Sequence, residues 1–597
     1  MELINDVYRS ARQGSSSNLK ILLSSFKSKA KERSKLIEHK TKDCDQITTP
    51  LIIASRNGHI KCVKILLSYD ADIEARGTVK IDDQIIEETS ALWAAAAKGE
   101  MDIVKLLIKK GANVNARTKT NSTPLRATAY DGRLDIVSYL VDHGADVNVK
   151  NNFENTPLMV ACYNGHRSVV NYLIDKGAKI DAQDKQGNTV LHYAVERGHL
   201  DIVKDLVTKG ASQLANNLGL TPLHLASNDC KIEMVEYFIA RPDCSKLDEI
   251  HSLELLGATI ANEPDAYDID KSYEFMMRGM KKRYDGDKCV IKKAILPPIQ
   301  AYQNRVECQT EDELKDIQKD SHAIHMEGLV VRERILGPNN TELRHPIRYR
   351  GAVFADSANF EPCITLWKHA MDIRQWGDLA VSDDLEALRD VFCQMIQLKV
   401  FPSFPDVYDV LERAVLEYEK VSQKIEKEKD NKSIESLQGN LESVVYSSLY
   451  LVTIFKHLNL ANSDEKLLHL LLHRYLCMNP RTKEGKTLVH LAVSGATPIS
   501  EQYGKGVCTY PCYKTTKLIL QTGASTVNSV DNDGNTPLHT VVMTKPKQGQ
   551  EETVEKIIAS LYDYGVHEDV INVDGKTALE VAATKGLKQF LILKRRY

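Results

Sequence analysis

A turn mark that returns about every 33 residues constrains this chain more than any other feature. It reads Thr49-Pro50-Leu51, Ser90-Ala91-Leu92, Thr123-Pro124-Leu125, Thr156-Pro157-Leu158, Thr189-Val190-Leu191-His192 and Thr221-Pro222-Leu223-His224, with steps of 41, 33, 33, 33 and 32 residues. Thr or Ser caps the start of a helix, and Pro suits its first turn. A Gly-His or similar pair then leads into a second helix such as Ile103-Val104-Lys105-Leu106-Leu107, and Gly111-Ala112-Asn113-Val114-Asn115 leads out into a loop. One such hairpin leaves its apolar stripe exposed, whereas stacked neighbours bury it. Period and mark together are those of ankyrin repeats, which predicts a solenoid whose concave groove binds protein.

At 597 residues the chain exceeds a single core, and two to four domains or arrays are expected. The formal net charge of -3 argues against a broad phosphate-binding surface, so no nucleic-acid partner is expected, although a local basic patch does not show in a sum. No run of about 18 apolar residues occurs, which predicts no membrane span. The opening Met1-Glu2-Leu3-Ile4-Asn5-Asp6 lacks the basic-then-apolar order of a secretory leader, and a cytoplasmic or nuclear location is expected. Twelve cysteines are scattered, with Cys508 and Cys512 the only close pair. No second pair stands at zinc spacing, so they read as buried thiols, and neither metal nor cofactor is expected. A RING-type cysteine and histidine array is likewise missing.

Three regions follow from the pattern: ankyrin repeats over residues 1–245, a helical region over 246–479, and a second ankyrin array over 480–597. In the middle, His325 to Leu336 reads as a helix stopped by Gly337-Pro338. The next stretch, Ile347 to Asp356, places Gly351 where a neighbouring helix comes close, and Cys363 to Ala370 closes a hairpin. This small-then-aromatic pairing resembles a tetratricopeptide unit. Lys420 to Lys432, rich in Lys and Glu, reads as a solvated helix end or loop. The ankyrin mark returns as Thr487-Leu488-Val489-His490, Thr536-Pro537-Leu538-His539 and Thr577-Ala578-Leu579-Glu580, with Gly504 to Cys512 in an insertion. The fold class is all-α.

Recognition residues are sought where repeats depart from the pattern. The long first step puts Val79-Lys80-Ile81-Asp82-Asp83-Gln84-Ile85-Ile86-Glu87-Glu88 in a loop between repeats, where its four acids form either a negative lip or a plain solvated loop. Arg126 takes the place usually held by His after Thr-Pro-Leu, and Trp93 holds the same place one repeat earlier. Helical spacing puts Arg126 and Tyr130 on one face, with Asp131 next. This set suits a peptide end, with Arg126 for its carboxylate, Asp82 or Asp131 for a basic side chain, and Trp93 and Tyr130 as walls. An inter-repeat salt bridge from Arg126 to an acid, with Trp93 in the core, is the alternative. His192, His224, His490 and His539 all fall in the Thr-Pro-Leu-His slot, where imidazole bonds backbone between repeats. No phosphate loop, nucleophile elbow or kinase signature accompanies them, so a catalyst is not expected.

Several strings resemble the protein fem-1 (feminization) homolog family. They are Thr49 to His59, Thr120 to Ala127, Leu253-Glu254-Leu255-Leu256-Gly257-Ala258, Arg332-Glu333-Arg334-Ile335-Leu336-Gly337 and Arg348 to Asp356, and the likeness runs in order to about Leu587. The resemblance implies a substrate receptor of a cullin-2 RING ubiquitin ligase that recognises degrons at protein C-termini, often ending in arginine. Carried over by motif, Asp82, Trp93, Ser122, Arg126, Tyr130 and Asp131 occupy the family's pocket, and elongin B/C and cullin-2 are the implied partners. Some members carry a His-Cys pair able to share zinc before the fifth repeat; here Lys185 and Gln186 stand there, so no metal is carried over. Members continue into a helical box that docks elongin and cullin, with a leucine followed by a cysteine. No cysteine lies beyond Cys512 here, so the expectation is an incomplete chain or a divergent member. A scaffold that joins partners through its two arrays, with no link to ubiquitin, is the competing expectation.

Overall fold

Each Thr-Pro-Leu mark opens a helix by the bond it predicts. In the computed structural model, which describes residues 2–595 apart from 27, 44, 82–83, 286–287, 378, 500–503, 505, 524–526 and 547–548, Thr49, Ser90, Thr123, Thr156 and Thr221 each accept a backbone N–H three residues on with the side-chain hydroxyl. The first helices of the repeats are Pro50–Arg56, Ala91–Lys98, Pro124–Asp131, Pro157–Tyr163, Val190–Glu196 and Pro222–Asn228. Their partners are Ile60–Ser68, Met101–Lys109, Leu134–Asp142, Arg167–Asp175, Leu200–Thr208 and Ile232–Ile239. A further hairpin, Glu2–Gln13 with Ser16–Ser24, stacks on the first repeat without carrying the turn mark. Val7, Tyr8, Ala11, Leu19 and Leu23 attach it to one continuous apolar core that reaches Phe275.

The acidic insert is a strand pair and not a loop. Gly77–Ile81 and Gln84–Thr89 run antiparallel with Val79 opposite Ile86 and Lys80 opposite Ile85, a register that the β-branched residues favour. One of its acids is paired from the next repeat, with Lys119 Nζ 2.5 Å from Glu87. Backbone bonds tie successive loops together, from Lys119 N–H to Glu87 O at 3.1 Å and from Asn152 N–H to Thr120 O at 3.0 Å.

The chain divides into two compact units, Met1–Ala261 with Ala266–Lys293 and Cys308–Ile324, and Asn262–Asp265 with Ala294–Glu307 and His325–Tyr597. In the first, Lys246–Asn262 packs on Ile269–Lys282, where a Cβ on Gly257 would meet Ser272 O at 2.6 Å. Their ends enclose a charged group. Arg283 donates twice to Glu254 at 2.7 Å, and Lys293 Nζ lies 3.8 Å from the same carboxylate, all three side chains at most 4 % exposed.

In the second unit Arg344–Asp356 and Phe360–Trp376 form a hairpin in which Gly351 lies against the Trp367 indole, whose N–H donates to Arg348 O at 2.9 Å. Phe404–Lys427 and Asn431–Ile454 form a longer one, so the Lys- and Glu-rich stretch is one helix end, a short turn and the next start. Cys508 and Cys512 are buried thiols. The second array has first helices Leu488–Val493, Pro537–Met543 and Ala578–Val581. No helix among the described residues is long and apolar enough to cross a membrane.

The histidines of the repeat mark are structural. His490 Nδ1 accepts the Thr487 N–H at 3.2 Å and Nε2 donates to Asn535 O at 2.8 Å in the next repeat, as His192 does to Leu220 O at 2.9 Å. Burial holds the His490 imidazole down to about 4, against an ordinary 6.5. Between those values the unfolded chain takes up a proton that the folded site refuses. Stability from this group is therefore complete above about pH 6.5 and lost towards pH 4, about 3 kcal/mol in all. Urea denaturation followed from neutral to acid pH should show that loss in the second array, and His490→Asn should flatten it.

Candidate functional site

The site is built on the second and third of the marked repeats, those opened by Ser90 and Thr123. Trp93, on Ala91–Lys98, is 6 % exposed, but it lies outside the continuous core, in a separate cluster with Ala97 and Ala127 against Ile81 and Ile86 of the strand pair. The extra residues of the long first step thus cover the indole from one side. Its Nε1–H is buried and has no hydrogen-bond partner among the described residues.

Arg126 stands one residue before Ala127 on Pro124–Asp131 and is half-buried. Its Nε is buried without a hydrogen-bond partner, and no carboxylate among the described residues pairs with its guanidinium. Burial lowers its pKa, opposed by the phenols of Tyr193 and Tyr130. An arginine so placed is short of the anion that its charge calls for. Tyr130, one turn on, is 56 % exposed, and Asp131 ends the helix with Arg133 Nε 3.8 Å from its carboxylate. Ser122 is buried in the turn before the helix, its carbonyl accepting from Thr118 N–H at 3.0 Å. Asp82 lies outside the described residues.

The next repeat fixes the far end of this helix. Gly132 turns the chain at φ 73°, a left-handed conformation that suits glycine, and a Cβ there would run into the His166 ring. His166 Nε2 bonds Tyr130 O at 2.8 Å, as His199 bonds Tyr163 O at 3.2 Å one repeat later.

Two aromatic residues escaped the sequence reading. The Tyr193 hydroxyl donates to Asp184 at 2.5 Å and accepts from Asn155 at 2.7 Å, and its ring meets Tyr163 edge-on at 5.9 Å. Arg197 lies over Tyr163 at 4.7 Å. Aligning the repeats exposes both: Tyr163 holds Tyr130's place 33 residues on, and Tyr193 follows His192 where Ala127 follows Arg126. Within the mark, His224 is the exception, its Nε2 buried without a partner among the described residues, because no further repeat of this array supplies a carbonyl.

Comparison with known proteins agrees with the architecture. A family model for ankyrin repeats matches three times, over residues 7–118, 77–151 and 158–249. The chain is 40 % identical over 604 residues to protein fem-1 homolog C of Danio rerio, covering 99 % of this chain and 94 % of that protein. To protein fem-1 homolog C of Homo sapiens it is 38 % identical over 605 residues, with the same coverage of each. Protein fem-1 homolog A of Danio rerio is 35 % identical over 376 residues, 61 % of this chain and 58 % of that one. Stacked hairpins and relatives together describe a repeat-based interaction protein.

Proposed function

The chain belongs to the protein fem-1 homolog family, and from that membership we propose that it is the substrate-recognition adaptor of a cullin-2 RING ubiquitin ligase. In this reading its first array binds protein C-termini that end in arginine, and elongin B/C and cullin-2 carry the bound protein to ubiquitination and degradation. The chain itself selects and does not catalyse. The observation that carries the reading is Arg126, a half-buried cation beside Tyr130 and Tyr193 with no carboxylate on it among the described residues.

A peptide's terminal carboxylate supplies the missing anion. Inside a partly desolvated site such a charge-assisted bond is stronger than at the surface, which favours a free end over an internal segment. Trp93 and Tyr130 wall the last residue, Asp131 takes its guanidinium, and Ser122 stands at the entry turn. Asp82 joins the set through the family resemblance alone.

The test compares one arginine-ended peptide as free acid and as amide, binding to the full chain. The free acid should bind at least about tenfold more tightly, since the amide removes one charge-assisted bond. Equal affinity would favour a scaffold that binds internal segments. Co-purification with elongin B/C tests the ligase half separately.

A further inference from the structure

On the second helices of the early repeats, cations gather that the chain does not neutralise. Ile60, Lys64, Asp102, Lys105, Leu106, Ile108, Lys109, Tyr139 and His143 line one cleft of 560 Å³, formed by Ile60–Ser68, Met101–Lys109 and the end of Leu134–Asp142. Lys64, Lys105 and Lys109 are exposed, and no carboxylate among the described residues pairs with any of them. Lys105 Nζ lies 5.9 Å from the centre of the Tyr139 ring, which stacks on His143 at 4.0 Å. Asp102 is the one acid in the lining.

Later repeats handle the same positions differently. There an ion pair joins the end of one second helix to the residue after the next, Asp142 to Lys176 at 3.1 Å and Asp175 to Lys209 at 2.5 Å. At the two earlier junctions Ser68 and Lys109 replace the acid, while Lys110 and His143 hold the cation's place. The chain as a whole carries -3, so this face departs in sign from the rest. Its floor of Ile60, Leu106, Ile108 and Tyr139 asks for apolar contact as well as charge.

We propose that this cleft is a second protein-binding surface, which takes an acidic segment carrying apolar residues between its carboxylates. The lysines supply steering and a charged rim, and the apolar floor supplies contact area. Such a segment meets both demands at once, whereas a polyanion without apolar groups leaves the floor unused.

The probe is a fluorescein-labelled peptide of alternating glutamate and leucine, amidated so that Arg126 is not engaged, titrated into the full chain at low and raised salt. Binding should weaken with salt, and K64E/K105E/K109E should weaken it on the order of tenfold or more. The same charge change at exposed residues of the second unit, K556E/K585E/K588E, should leave it unchanged, and circular dichroism should show both variants folded. Several results would overturn the proposal: no binding at low salt, equal loss in both triple variants, or no loss in the first. Equal binding of a glutamine-leucine peptide would do so too, as would phosphatidylserine vesicles or a single-stranded oligonucleotide binding more tightly than the acidic peptide.

Discussion

Arg126→Ala should weaken binding of an arginine-ended, free-acid peptide by about 10- to 150-fold, the equivalent of about 1.5–3 kcal/mol for a hydrogen-bonded charge. Arg126→Lys should recover only part of the loss, because an ammonium does not reproduce the planar fork. Stability should move the other way. The guanidinium is half-buried and carries no carboxylate among the described residues, so its removal relieves a desolvated charge. Fluorescence anisotropy for binding and a thermal melt for stability should therefore show affinity falling while the melting temperature holds or rises. A melt that drops with Arg126→Ala would instead mark the arginine as part of the framework.

The second large effect lies away from the site. Glu254→Ala leaves Arg283 and Lys293 buried without their shared carboxylate, and the first unit should lose about 3–5 kcal/mol. With two compact units, unfolding need not be a single step, so amide exchange is the better measure. Protection at Leu253, Leu256 and Ile260 in Lys246–Asn262 should fall, while that of Leu488–Val493 stays. Adding Arg283→Met and Lys293→Met to Glu254→Leu should restore much of the loss, since an apolar cluster avoids the charge burial that the single change exposes.

Much of this was readable from the residues because repeats report on themselves. Thr123-Pro124-Leu125 announces a helix start wherever it occurs, and Arg126 stands out because four sister marks carry His in its place. Glu2–Gln13 carries no mark, and only its stacking on the first repeat reveals it. The acidic insert hides its strands because alternation over Val79 to Ile86 is short and interrupted. Contacts between elements far apart in sequence were the least legible. Tyr193 finds Asn155 38 residues away, and Glu333 accepts from Tyr302 and His369, 31 and 36 residues distant. Distances of that kind are set by stacking, and no local propensity encodes them.

The bond from His166 to the carbonyl of Tyr130 has a consequence for inheritance. Repeat proteins lengthen and diversify by copying or exchanging one period at a time, and the natural cut falls before Thr-Pro-Leu. A cut there moves Arg126, Tyr130 and Asp131 together but leaves behind the histidine that holds their helix end. The segment that transplants this face intact overruns whole periods by about a third of a repeat at each end, running from the strand pair before Trp93 through His166. A chimaera assembled from whole periods would thus keep its fold and lose its aim.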